Sequence, residues 1–405
     1  MVLTSEQSFI MKELQNQMFN SHGRPFIKVV GGYAGTGKTT LICELRKQLE
    51  KQRRISVAFL TFTGKASSVL KTKLNANKIY YPDDYIGTIH GFIYQPETKW
   101  DKKLKTFVIT GWKRRSKDQI WTDLFIIDEA SMVSKEIWKD LLSYNRPIIA
   151  VGDHGQLPPI GEDFNLMKNA DYKLLEIHRQ ALNSPIIKLS KIAREEGYIP
   201  HKIYSPNVFK VRWDTKQRKK IWDNINFTSK DLIILCGFNT TRANINDRIR
   251  KKLGLASRIP YPDEKVVCLK NNHRADIMNG QLGRIVWIMP ETNGLRRITL
   301  EIDDDMYEVL VADKCFGEVQ YTMYDSPVMK NNLEKYAADK GYGGVSYFDY
   351  GYAISVHKSQ GAEWDRVVLL EQRSNYWDDE YYARWLYTAI TRAKEKLMII
   401  DNVWI

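Results

Sequence analysis

The sequence predicts an α/β protein with two doubly wound parallel sheets, and three observations carry that expectation. Short β-branched apolar runs alternate with stretches of helical period up to about Gln180, and the alternation starts again after it. A glycine-rich turn, Gly32-Tyr33-Ala34-Gly35-Thr36-Gly37-Lys38-Thr39, joins one such run to one such helix. Between about Gly283 and Phe348 the alternation gives way to short strand-like runs parted by turn chemistry, the pattern of a small antiparallel barrel.

In chain order, Thr4 or Ser5 caps a helix through Phe9, Ile10, Leu14 and Met18. Phe26–Val30 is a buried strand, and Leu41, Ile42, Leu45 and Leu49 mark the helix beyond the turn. That turn reads G-x-x-x-x-G-K-T. Its glycines (Gly32, Gly35, Gly37) let backbone N–H groups face a polyphosphate, and Thr36 and Thr40 complete the cradle at a helix N-terminus. Lys38 then reaches the β/γ-phosphates and Thr39 holds a magnesium ion, so ATP and Mg2+ are the expected cofactors. Ile55–Leu60 is a second strand, which delivers Thr61, Thr63 and Lys65 to the same sheet end, where ligands bind. Phe92–Gln95 and Lys105–Thr110 read as a hairpin whose tip carries Trp100 among lysines, an exposed ring able to stack on a base.

Leu124–Ile127 ends in Asp128-Glu129, the first acid suited to the metal shell and the second to deprotonating an attacking water. Pro147–Val151 ends in a turn whose Gln156 amide is placed to sense a γ-phosphate. Arg179 follows the short apolar run at Leu174. In the second half Asp231–Phe238, Tyr352–Val356, Arg366–Leu370 and Lys396–Ile400 are sheet strands, and a helix from Asp378 presents Thr391-Arg392. Without a second phosphate loop, this half assists a nucleotide site instead of owning one.

At 405 residues the chain holds two or three domains. Its 61 Lys and Arg outnumber 48 Asp and Glu, a net +13 that favours a polyanionic partner. Four scattered cysteines with no C-x-x-C pair suggest neither a zinc site nor a disulfide framework, and they fit a reducing compartment. No apolar run approaches membrane-spanning length and the N-terminus lacks a signal-peptide core. A soluble cytoplasmic protein with no membrane partner is expected, bacterial or in a host cell. The Lys-, Asn-, Ile- and Tyr-rich usage points to an AT-rich genome such as a phage's.

The ordered segments Gly32–Thr39, Asp128-Glu129-Ala130-Ser131, Gly152–Pro159, Arg179, His357-Lys358-Ser359-Gln360-Gly361 and Thr388–Ala393 resemble the motifs of superfamily 1 helicases. Their wording is most similar to the RecD and Dda branch, which moves 5′ to 3′ on single-stranded DNA. The resemblance implies two RecA-like motor domains, the first over 1–180 with a hairpin pin inserted at 91–116. The second spans 181–283 and 349–405, interrupted by the barrel at 284–348. It further implies an adenine-reading Gln7, a base-stacking position at His178, and arginine fingers at Arg179 and Arg392. Glu363 would couple DNA to nucleotide. Contacts to DNA are implied at Thr61, Thr63, Lys65, His90, Trp100, Pro158, Asn239, Arg242, His357 and Lys358. The expected partners are single-stranded and fork DNA and proteins of replication or recombination, with the chain acting as a monomer. Two other readings share these residues: an RNA helicase of the same superfamily, and a nucleic-acid-binding module with a vestigial nucleotide site. Intact Lys38, Thr39, Asp128, Glu129, Arg179 and Arg392 weigh against the second.

Overall fold

A computed structural model describes residues 3–21, 24–101, 106–159, 164–177, 183–212, 222–272, 275, 277–291, 294–319, 327–342 and 344–401, with only the backbone described at 98–101, 106–111, 327–331 and 338. The chain divides into two compact units. One takes in 1–98, 109–198 and 379–391, and the other 99–108, 199–378 and 392–405.

In the first unit, β1 (Ile27–Gly32), β2 (Val57–Thr61), β3 (Tyr85–Thr88), β6 (Leu124–Asp128), β7 (Ile148–Gly152) and β8 (Tyr172–Leu174) form one sheet in the order β3-β2-β6-β7-β1-β8. Every described pairing in it is parallel. Its central strands are apolar along their length because helices cover both faces, and Val30, Phe59, Ile126 and Val151 sit in one buried cluster while Val29, Leu60, Ile127 and Ala150 sit in another. Local chemistry sets the helix starts. Thr4 and Gln7 form a capping box at the head of helix Ser5–Asn20, and Thr63 and Ser134 accept N–H bonds at the starts of Gly64–Ala76 and Lys135–Leu142. Pro185 opens helix Pro185–Glu196 and Gly197, at φ 69°, ends it. Arg46, fully buried on helix Lys38–Gln52, makes a bidentate pair with Asp84 at 2.9 and 3.0 Å and fixes that helix to the strand edge beneath it.

β4 (Tyr94–Asp101) and β5 (Thr106–Arg114) pair as a separate two-stranded sheet. Phe92 and Ile93, expected as strand, instead close a short helix, Ile89–Ile93, capped by Thr88. Ile89 and Ile93, four residues apart, are both buried, so the helical repeat wins there. The base of this two-stranded piece is clamped. Arg115 N–H donates to Ile93 O at 2.8 Å, and the Tyr144 hydroxyl donates to both Ile93 O and Arg115 O. The Tyr94 hydroxyl and Arg114 both bond Asp140 on the next helix.

The second unit holds a mixed sheet of β9 (Ile203–Ser205), β10 (Val208–Val211), β11 (Leu232–Cys236), β18 (Ala353–Ser355), β19 (Trp364–Leu370) and β20 (Ala393–Ile400), in the order β18-β11-β19-β20-β10-β9. Its strands are parallel except the edge pair β9–β10. A third sheet runs β16 (Val345–Ser346), β15 (Asp305–Ala312), β14 (Leu295–Ile302), β13 (Leu282–Pro290), β12 (Lys265–Cys268) and β17 (Phe348–Tyr350), a nearly closed, barrel-like sheet. Asp303 and Asp304, both at positive φ, turn β14 into β15 as a two-residue hairpin. This sheet also draws in β12 and β17 on either side of the segment read as the barrel. The pairing of β12 with β13 and β17 is long-range and has no signature in local periodicity. Its inner face shares one hydrophobic cluster with the parallel sheet, including Ile234, Val266, Ile285, Ile298, Phe348 and Val368.

Candidate nucleotide site and nucleic-acid residues

The carboxyl ends of β1, β6 and β7, adjacent in the sheet, bring three sequence-distant turns together. Gly35 and Gly37 adopt φ 79° and 75°, a left-handed backbone that a β-carbon would strain, so the loop after β1 folds tightly into helix Lys38–Gln52. The Lys38 ammonium turns back on the loop, donating to Gly32 O at 2.8 Å and Tyr33 O at 3.1 Å, and it stands 3.6 Å from Asp153 Oδ2. Thr36 is buried and donates to Tyr33 O. Thr39 and Thr40 are half-buried at the head of the helix.

Gln7, expected to read adenine, is fully buried. Its amide donates to Thr36 O and Gly37 O at 3.0 and 3.2 Å, while its Oε1 accepts Thr4 N–H. In this structure it braces the phosphate loop from behind.

Asp128 ends β6 and accepts Glu129 N–H at 2.9 Å. Burial pushes its carboxyl above the usual range, against the opposing pull of Lys38 and Lys73. Glu129 has φ 55° and ψ 38°, a left-handed conformation rare for a residue with a side chain and characteristic of functional turns. Beyond β7, Asp153 is almost fully buried, and Gly155 N–H, the Tyr387 hydroxyl and the lysine converge on its carboxylate. Gln156 is 4% exposed, with Nε2 3.5 Å from Asp153 and Oε1 lacking a hydrogen-bond partner among the described residues. His154 packs against Tyr33 with ring centroids 4.0 Å apart and the rings tilted by 50°, and burial lowers it to about 4, so it is neutral at working pH. Tyr33 also has the Arg194 guanidinium 3.5 Å from its ring centroid.

Asp153, Tyr33, Arg194, Arg384 and Tyr387 were not singled out from sequence. Asp153 was findable, because it stands at a strand end as Asp128 does. Tyr387 was not: its hydroxyl accepts Ala34 N–H at 2.7 Å across a separation of 353 residues.

Among the expected DNA contacts, Thr61 is fully buried and donates its hydroxyl to Thr63 O, so it shapes the turn carrying the half-buried Thr63 and Lys65. The rings of His90, half-buried, and Tyr94 meet edge to face at 4.5 Å. Pro158 is half-buried and Asn239 exposed at the head of helix Asn239–Lys252. Arg242, expected at the DNA surface, is 5% exposed. It pairs with Asp349 and donates to Glu318 O at 2.6 Å, because its place on the inner face of that helix turns it toward the barrel-like sheet. His357 and Lys358 form a short turn after β18. Burial lowers Lys358 to about 8, and its Nζ lies 3.4 Å from Asn279 Oδ1. Glu363 is exposed. Arg392 is 4% exposed and donates to Ala362 O at 3.2 Å. His178 and Arg179 lie outside the described residues, as does the side chain of Trp100. No group of three or more His, Cys, Asp or Glu among the described residues is placed to hold a metal by itself. No described helix is long and apolar enough to cross a membrane.

Residues 15–162 match the AAA domain family and residues 350–400 the UvrD-like helicase C-terminal domain. The ATP-dependent RecD2 DNA helicase of Deinococcus radiodurans is 23% identical, over 97% of this chain and 48% of that protein. The ATP-dependent DNA helicase Pif1 of Campylobacter jejuni is 25% identical, over 84% of this chain and 81% of that protein. This chain thus spans about half the length of the RecD2 relative. Bacteroides Pif1, solved with ADP-AlF3 and single-stranded DNA, aligns over 100% of this chain and 93% of its own, with a TM-score of 0.54 at 20% identity. At that identity the likeness is one of fold: two α/β domains with parallel sheets.

Proposed function

We propose that this chain, which belongs to the RecD/Pif1-like helicases of superfamily 1, is an ATP-driven motor that moves 5′ to 3′ along single-stranded DNA and opens duplex ahead of it. The observation that carries the proposal is the meeting of Lys38, Asp128-Glu129 and Asp153-Gln156 at the ends of three adjacent parallel strands. Such a sheet end is where open α/β folds bind ligands. ATP lies along the Gly32–Thr39 loop, with Lys38 released from Gly32 O and Tyr33 O onto the β/γ-phosphates. Magnesium fits this site: Thr39 and Asp128 are hard oxygen donors, and the raised Asp128 carboxyl is one that a divalent cation would hold ionised. Glu129 takes the proton of the attacking water, and the buried Gln156 amide orients that water at the γ-phosphate. Arg179 and Arg392 act as fingers on the transferred phosphoryl group.

The net charge of +13 supports a polyanionic track, and the Bacteroides neighbour holding single-stranded DNA supports DNA as that track. His357 and Lys358 grip the strand's backbone, while Arg242 supports the same face from within. Unwinding of short duplexes with a 5′ or a 3′ single-stranded tail tests the direction. Strand separation is expected from the 5′-tailed substrate alone, and preference for the 3′ tail would reverse the polarity.

The β4–β5 piece is proposed as the separating pin, with Trp100 at the fork. Its clamped base at Ile93, Arg115, Tyr144 and Asp140 supports a rigid wedge. Replacing Gln95–Leu104 by an Asn-Gly turn should leave DNA-stimulated hydrolysis and streptavidin displacement near wild type. Duplex unwinding should fall strongly, because each base-pair step costs about 0.6–2.2 kcal/mol to open. Parallel loss of all three activities would make the hairpin part of the motor's framework. Unchanged unwinding would put the wedge elsewhere.

A further inference from the structure

Helix Asp379–Ile390 shares a compact unit with the phosphate loop, and three of its side chains hold the turn after β7 and the loop. Arg384 donates to His154 O and Gln156 O at 2.9 and 3.3 Å, and Thr388 Oγ1 accepts Leu157 N–H at 3.0 Å. Positions 384, 387 and 388 fall on one helical face, so Tyr387 points to the same place. Its hydroxyl accepts Ala34 N–H at 2.7 Å and donates to Asp153 Oδ2 at 2.7 Å.

We propose that Tyr387 is the residue by which this site distinguishes a nucleoside triphosphate from a diphosphate: its hydroxyl occupies the place of a γ-phosphate oxygen, and only a triphosphate displaces it. The inference rests on the reading of the loop as an ATP site. The carboxylate oxygen that Tyr387 bonds is 3.6 Å from the Lys38 ammonium, the group that reaches the β/γ-phosphates, so the hydroxyl marks the γ end of the loop. A backbone amide has one proton to give, and Ala34 gives it to Tyr387. Lys38 is likewise satisfied from within, by Gly32 O and Tyr33 O. Without nucleotide the loop is therefore held in shape by its own chain. Deep burial and the neighbouring Asp153 carboxylate keep the phenol protonated, so the hydroxyl can accept and donate at once. A diphosphate fills the amides nearer the helix and leaves this contact intact. The γ-phosphate takes the Ala34 amide and frees the hydroxyl, loosening the grip of helix Asp379–Ile390 on the loop.

Tyr387→Phe removes the hydroxyl and keeps the ring. Fluorescence titration of wild type and variant with magnesium, using ADP and a non-hydrolysable ATP analogue, reads the effect. The triphosphate analogue should bind the variant about three- to tenfold more tightly, the equivalent of one hydrogen bond lost from the nucleotide-free state, with ADP affinity unchanged. Thermal unfolding should show the nucleotide-free variant less stable than wild type, with the gap closing on adding the triphosphate analogue but not ADP. Equal shifts for both nucleotides, or weaker triphosphate binding, would overturn the proposal in favour of a purely structural hydroxyl or a direct phosphate ligand. Wild type that binds neither nucleotide would overturn the ATP-site reading itself, and this inference with it. Wild-type amide exchange supplies a check free of any folding defect in the variant. The Ala34 amide should exchange slowly both without nucleotide and with ADP; fast exchange in either state would sink the idea.

Discussion

Lys38→Ala is expected to lose ATP hydrolysis almost completely, by at least about 10³-fold, because the point charge that meets the β/γ-phosphates is gone. The fold should survive. Lys38 is one of several groups around Asp153, and the Tyr387 hydroxyl and Gly155 N–H remain bonded to that carboxylate. The carbonyl groups of Gly32 and Tyr33 lose an internal donor, but Tyr33 is half-buried and open to water, and Gly32, though buried, stays paired with Leu174 in the sheet. Far-ultraviolet circular dichroism and thermal unfolding should therefore resemble wild type. DNA affinity without nucleotide should also be retained, since the proposed strand-binding residues His357 and Lys358 lie on a separate turn. Wild-type turnover in this variant would remove Lys38, and with it the loop, from the chemistry.

Glu129→Gln should cut steady-state turnover at least about 10²-fold while leaving ATP binding intact. Glutamine matches the side chain in size and retains a carbonyl oxygen, but it cannot accept the proton of the attacking water. The backbone supports a dedicated role. Glu129 holds a left-handed φ of 55°, a cost of order 1–3 kcal/mol for a residue with a β-carbon. That strain carries the residue out of the line of β6 immediately after Asp128. Nucleotide affinity measured beside turnover separates the two acids. If Glu129→Gln abolishes ATP binding, Glu129 is a metal ligand and the division of labour with Asp128 is reversed.

The sequence by itself determined what short-range chemistry controls. Gly35 and Gly37 announced a tight loop that turns its N–H groups inward, β-branched runs announced β1, β2, β6, β7 and β11, and Thr4 or Ser5 marked the start of the first helix, where Thr4 is the cap. The acid pair was legible because an apolar strand stopped at it. In each case the cause lies within a few residues of the effect. The tertiary structure alone decided which side chains meet. Gln7 braces the phosphate loop through Thr36 O and Gly37 O, and Arg242 turned from a surface cation into a buried partner of Asp349. Phe92 and Ile93 joined a helix because the burial of Ile89 and Ile93 outweighed their β propensity. Tyr387, Arg384 and Arg194 reached the loop or the turn beside it only through packing between segments far apart in the chain. Periodicity tells a helix which face to bury, but not against what. The order β3-β2-β6-β7-β1-β8, which sets three loop ends side by side, is fixed by close packing of the whole core, and so therefore is the meeting of Lys38, Asp153 and Tyr387.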